Sequence, residues 1–122
     1  MRKIEEKMVE AIYDHKEFSH AARNGYYSQN GSTRVWKANH LIDEDCGWDM
    51  VVYSYSTPIA RISYARNEIM ITLDYGCSLT TNSRLSALYS HVCGEPKAVT
   101  EDRRGMPKAG SLYELQNGIQ WE

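Results

Sequence analysis

Residues 71–94, ITLDYGCSLTTNSRLSALYSHVCG, hold the strand-to-helix passage on which the fold turns. Ile71 to Tyr75 continues an alternating run that begins at Glu68. Ile69, Ile71, Leu73 and Tyr75 face one way and Met70, Thr72 and Asp74 the other, the period of a strand with one buried face. A Gly76-Cys77-Ser78 turn follows. From Asn82 to His91 the period lengthens: Leu85, Leu88, Tyr89 and Val92 recur at i, i+3, i+4 and i+7, the stripe of a helix laid on a sheet. Gly94 stands where such a helix stops, with Pro96 two residues beyond.

Upstream, Trp48 to Ser56 is rich in Val and Tyr and reads as a strand. Thr57-Pro58 interrupts it, and Ile59 to Tyr64 resumes extended structure; Pro58 lacks a ladder donor and belongs at a strand start, an edge or a bulge. Ala65-Arg66-Asn67 is hairpin-sized. Three antiparallel strands in succession therefore form the expected centre of the fold. Residues 2–18 read as a helix with Ile4, Met8, Ala11, Ile12 and His15 on one face. Between 21 and 45, Asn24-Gly25 and Asn30-Gly31 mark turns, with short strands expected at Tyr26–Ser28 and Thr33–Lys37 and an acidic loop at Asp43-Glu44-Asp45. Segment 95–110 reads as a polar loop, and Asn117-Gly118 suggests a closing hairpin. The expectation is one α+β domain over 1–122: N-terminal helix, antiparallel sheet, second helix at 82–92, loop-rich tail.

Composition bounds the function. With 42% hydrophobic and 25% charged residues, the chain matches an ordinary globular protein. Its net charge is −2 and its 14 basic residues divide evenly between 1–50 and 51–122. There is thus no overall basic signal for nucleic acid or membrane, and any anion site must be local. No apolar run is long enough to span a bilayer, and the acidic N-terminal helix lacks a secretory h-region; the expected location is the cytoplasm, the cell's own or a host's. Three cysteines, Cys46, Cys77 and Cys93, have no CxxC spacing and suit reduced thiols. Nine Tyr and three Trp against one Phe suit an interface or ligand pocket, or equally a half-exposed sheet.

Most chemistry is excluded by pattern. His15, His20, His40, His91 and the cysteines show no zinc-type pairing, so no metal is expected. Cys77 has no marked partner base, carboxylate pairs cannot be read from scattered acids, and neither GxxxxGK[ST] nor GxGxxG occurs. No catalytic residue and no cofactor is expected. What remains is the junction Thr80-Thr81-Asn82-Ser83-Arg84. The first amides of a helix are unpaired and carry the positive end of its dipole, so threonine hydroxyls and an arginine fork can complete a phosphate site there. Equally, one threonine is simply the N-cap and Arg84 is solvated. Arg103-Arg104, in a downstream loop, would either close over the anion or pair with Glu101 and Asp102.

The segment VVYSYSTPIARI…ITLDYGCSLTTNSRLSAL, through Val52, Ile59-Ala60, Thr80-Thr81, Arg84-Leu85 and Ala87-Leu88, resembles a group of small phage-encoded proteins, as does the opening KIEEKMVEAIYDHKEF. The resemblance covers about two-thirds of the chain. The best-understood members of that group are Thoeris anti-defence proteins of the first described type, sponges that sequester a glycocyclic ADP-ribose immune signal intact; some also bind cyclic oligonucleotides at oligomer interfaces. The chain departs from that pattern at Gly76, beside Tyr75, and at Ser86. The resemblance implies a non-enzymatic phage protein in the host cytoplasm; a chain this small would build such a pocket between subunits, so a homo-oligomer is expected. Thr80, Thr81, Arg84 and Arg103 or Arg104 would meet phosphate, with Tyr75 near a base and Ser86 in the pocket. The alternative is an accessory inhibitor of a host protein or nucleic acid that uses Asp43-Glu44-Asp45 and Asp49 as a decoy surface. A small nuclease that degrades the signal is the enzymatic rival.

Overall fold

The structure is a computed structural model that describes residues 2–20, 32–76 and 78–117. In chain order its elements are α1 (Lys3–Tyr13), β1 (Phe18–His20), β2 (Thr33–Lys37), a 3-10 turn (Asp43–Asp45), β3 (Met50–Ser54), β4 (Thr57–Ser63), β5 (Glu68–Ile71), α2 (Leu79–His91), β6 (Cys93–Ala98) and β7 (Ser111–Leu115). The seven strands make one antiparallel sheet in the order β1-β2-β3-β4-β5-β7-β6. This is the α+β architecture expected from the sequence. Tyr26–Ser28 and the Asn24-Gly25, Asn30-Gly31 and Asn117-Gly118 turns lie outside the described residues.

The sheet's alternation decides what is buried. Val35, Met50, Val52, Ala60, Ile62, Ile69, Ile71, Tyr113 and Leu115 join Met8, Val9, Ile12, Leu85, Leu88 and Val92 in a single core, so both helices cover the same face. Residues one step out of phase, Arg34, Trp36, Val51, Tyr53, Arg61 and Met70, lie opposite one another on the other face. Pro58 sits at a break in register: Tyr53 pairs with Pro58 and Val52 with Ala60, skipping Ile59. The missing N–H therefore costs no ladder bond, and both Ile59 and Ala60 reach the core.

β5 ends at Ile71, short of Tyr75, β3 starts at Met50, and Thr57-Pro58 belongs to β4; three further differences from the sequence reading have a physical reason. First, α1 stops at Tyr13 and does not run to residue 18. His15 takes a left-handed backbone (φ 55°), its amide bonding to Ile12 O and the Lys16 amide to Ala11 O, the paired bonds of a Schellman stop. His15 accordingly leaves the buried stripe, and Glu5 and Val9 join it. Second, α2 begins three residues early at Leu79, because Ser78 is the N-cap. Third, Gly94 does not end α2. It lies in β6, where an added Cβ would come within 3.1 Å of Glu114 O, so it permits close strand approach. Pro96 sits at a register shift of the same strand, and only the later part of 95–110 is loop.

Candidate functional site

The α2 junction is built from its cap outward. Ser78 Oγ accepts from the Thr81 amide at 3.2 Å, a bond worth about 1 kcal/mol. The Asn82 amide bonds to Ser78 O, and Asn82 Oδ1 accepts from the amide of Gly76 (φ 112°) at 3.0 Å. Two of the helix's early amides are thereby occupied. Among the described residues no side chain accepts from the amides of Leu79 and Thr80, which lie at the positive end of the helix dipole. The Leu79 side chain is 88% exposed.

The residues singled out at this junction separate into two groups. Thr81 and Arg84 turn inward. Thr81 is buried and its hydroxyl lies 2.8 Å from Ser54 Oγ and 3.0 Å from Ser78 Oγ. Arg84 is 2% exposed; its Nε donates to Thr33 Oγ1 at 2.7 Å and a terminal nitrogen donates to Glu5 Oε2 at 3.1 Å. Burial pulls the Arg84 guanidinium below its ordinary value, and the Glu5 carboxylate opposes that pull. Arg84 is thus neither solvated nor presented to a guest: it is the ion-paired tie between α2, α1 and β2. Neither reading of the sequence anticipated this, although one signal was present. Glu5 stands at i−3, i−4 and i−7 to Met8, Val9 and Ile12, a carboxylate on a core-facing stripe that calls for a buried cation.

Tyr75 and Ser86 instead come together. Their hydroxyls hydrogen-bond to each other, and the Tyr75 ring stacks on Tyr89 with centroids 5.8 Å apart. Thr80 is half-buried in the first turn. Arg103 and Arg104 are exposed in the loop after β6. Arg104 is tied to the Asp102 carboxylate at 3.2 Å, the local pairing that was one of the two alternatives; hydrogen bonds from the Met106 and Arg104 amides also hold that carboxyl below the usual range. No described hydrogen bond joins this loop to the first turn of α2.

Beside the junction runs a shallow hollow of about 470 Å³ along one face of α2. Leu79, Asn82, Ser83, Ser86 and Ser90 line it together with Ala87 and His91, with Glu5 on the α1 side. Its spacing, i, i+3, i+4, i+7 and i+11, places hydroxyl and amide groups in a row that starts at the uncapped amides. Among the described residues the one carboxylate at its edge, Glu5, is already paired with Arg84. The arrangement supplies hydrogen bonds and a dipole end, and His91 adds an imidazole at the far end of the row.

Among the described residues no three His, Cys, Asp or Glu side chains are grouped to hold a metal, and no helix is long and apolar enough to cross a membrane. The acidic segment is less available than its sequence indicates. Asp45 is buried and bonds Arg61 at 3.0 Å, while Asp49 accepts from the Tyr64 amide at 2.8 Å. Asp43 and Glu44 remain exposed. No protein-family model, curated protein or solved structure matches the chain.

Proposed function

We propose that the protein binds a small cyclic nucleotide signal, of the glycocyclic ADP-ribose kind that the sequence resemblance implies, and sequesters it unchanged as a phage anti-defence protein working as a homo-oligomer. The seat of binding is the α2 hollow and not the Arg84 guanidinium. One observation carries this reading: the row of Asn82, Ser83, Ser86 and Ser90 leads from the amides of Leu79 and Thr80. Phosphate oxygens are matched by amides at a helix start, and ribose hydroxyls by serines. Capture without chemistry requires no more than that.

Titration calorimetry with a cyclic ADP-ribose ligand tests it. The wild-type protein should bind, and Ser83→Trp, which fills the hollow from its middle, should abolish binding while leaving the melting temperature nearly unchanged. Ligand recovered after denaturation should have its original mass, whereas a cleaved product would indicate a nuclease. Equal affinity in Ser83→Trp would remove the hollow from consideration.

A second reading has its own support. Leu41 is 94% exposed and Ile42 43%, next to the exposed Asp43 and Glu44. An apolar and acidic patch of this kind fits a basic host protein. That reading requires a stoichiometric host protein in a pull-down, lost in Leu41→Lys.

A further inference from the structure

A second concave surface lies at the C-terminal end of α1, about 560 Å³ in volume and lined by His15, Lys37, His40, Asp49 and Tyr64 among others. His15 is the unusual member. It occupies the left-handed position of a helix stop, where glycine is the default and a side chain costs free energy. Its ring stacks on Tyr64 with centroids 3.5 Å apart and planes 14° apart. Tyr64 is itself fixed, its hydroxyl donating to Ile12 O and its amide to Asp49 Oδ2. A side chain retained at a strained position and clamped there points to a use for its exposed edge.

The charges around this ring are unbalanced. Among the described residues neither the Lys37 ammonium nor the His40 ring has an ion-pair or hydrogen-bond partner, and His15 has only the stack. Asp49 is the one carboxylate lining the hollow, and one of its oxygens serves Tyr64. Along the chain His15 is flanked by Asp14, Lys16 and Glu17, and Glu17 Oε2 already accepts from the Lys37 amide at 3.0 Å. A protein of net charge −2 thus gathers a lysine and two imidazoles around one hollow.

We infer that the His15–Lys37–His40 hollow binds an oxyanion, the phosphate group either free or carried by a small metabolite. Lys37 supplies fixed charge and the two imidazoles supply N–H donors. This site is separate from the α2 hollow, so either can fail without the other.

The test is an NMR titration of the histidine ring protons with inorganic sulfate, whose charge is constant between pH 6 and 8. His15 and His40 should shift saturably at pH 6, and Lys37→Met should weaken binding about tenfold. His15→Gly separates site from scaffold, because glycine suits the left-handed backbone. Binding should be lost while thermal stability holds. A His15→Gly protein that melts early yet binds sulfate normally would make the stack purely structural and overturn the inference, as would histidine resonances indifferent to sulfate at pH 6. Inorganic phosphate and glycerol 3-phosphate, titrated in parallel, identify the source. Tighter binding of the ester assigns a metabolite, and equal binding assigns the free ion.

Discussion

Two buried arginines occupy opposite faces of the sheet at the same end of β2, and they are stabilised in different ways. Arg84 reaches from α2 to Thr33 and meets a carboxylate and a hydroxyl. Arg34, the next residue along β2, projects from the other face. Its guanidinium carbon lies 4.1 Å from the Trp36 ring centre and 4.4 Å from that of Tyr53, and a terminal nitrogen donates to Tyr55 O at 3.1 Å. It is 5% exposed and its Nε has no partner. One charge is neutralised; the other is shared between two π faces and a carbonyl. Aromatic faces hold a cation with no second ion to desolvate, so removing the cation strands little. A buried ion pair has the opposite property: each partner becomes a liability when the other is lost.

That asymmetry predicts the largest effect. Arg84→Met should cost about 3–5 kcal/mol, because it leaves Glu5 buried without its cation, and urea denaturation measures it. The double variant Arg84→Met with Glu5→Met should recover most of the loss. If the double variant is no more stable than the single, the damage comes from packing and the contrast between the faces collapses. Arg34→Met should cost less, about 1–2 kcal/mol, since only the Tyr55 carbonyl and the two ring faces lose a partner. A cost equal to that of Arg84→Met would show that Arg34 has a counter-ion role of similar weight.

The same contrast explains what the sequence could disclose. The β3–β4–β5 succession and the span of β2 were legible because period-2 alternation and hairpin-sized turns are local features. The second helix is legible from Leu85, Leu88 and Val92, but its cap is Ser78 in the turn and neither of the threonines that one reading of the junction offers. Gly94 and Pro96 obeyed a local punctuation rule that strand pairing overrode, since β6 is held by β7 from across the chain. Of the candidate site, the Tyr75–Ser86 meeting joins two residues already singled out. The fate of Arg84 was illegible from its neighbours, because its partner Glu5 lies 79 positions away. Nothing near His15 announced its pairing with Tyr64 either.

The last test uses pH to ask whether the helix-covered face behaves as one unit. Cys93 lies in the core beneath α2, 6% exposed, and burial pushes its thiol up to about 12 from 9.0. The Tyr13 hydroxyl, which donates to His91 O and Gln116 O, is likewise pushed up to about 12 from 10.0, by burial first and by Cys93 second. In both cases the fold favours the protonated form. Above pH 9 the unfolded chain therefore releases protons that the folded chain keeps, and stability must fall as pH rises, from 9 for the thiol and from 10 for the phenol, until about 12. The expected slope for the thiol is about 1 kcal/mol per pH unit, read from urea midpoints at pH 8, 9 and 10. Cys93→Ala should lower the slope over pH 9–10 by about that amount whatever it costs at pH 8, leaving the share of the buried tyrosines, and Cys46→Ala, at an exposed thiol, should not. Arg34→Met should keep the wild-type slope, because it alters only the opposite face. If its slope changes as much as that of Cys93→Ala, the two faces are coupled through the sheet and cannot be treated as independent.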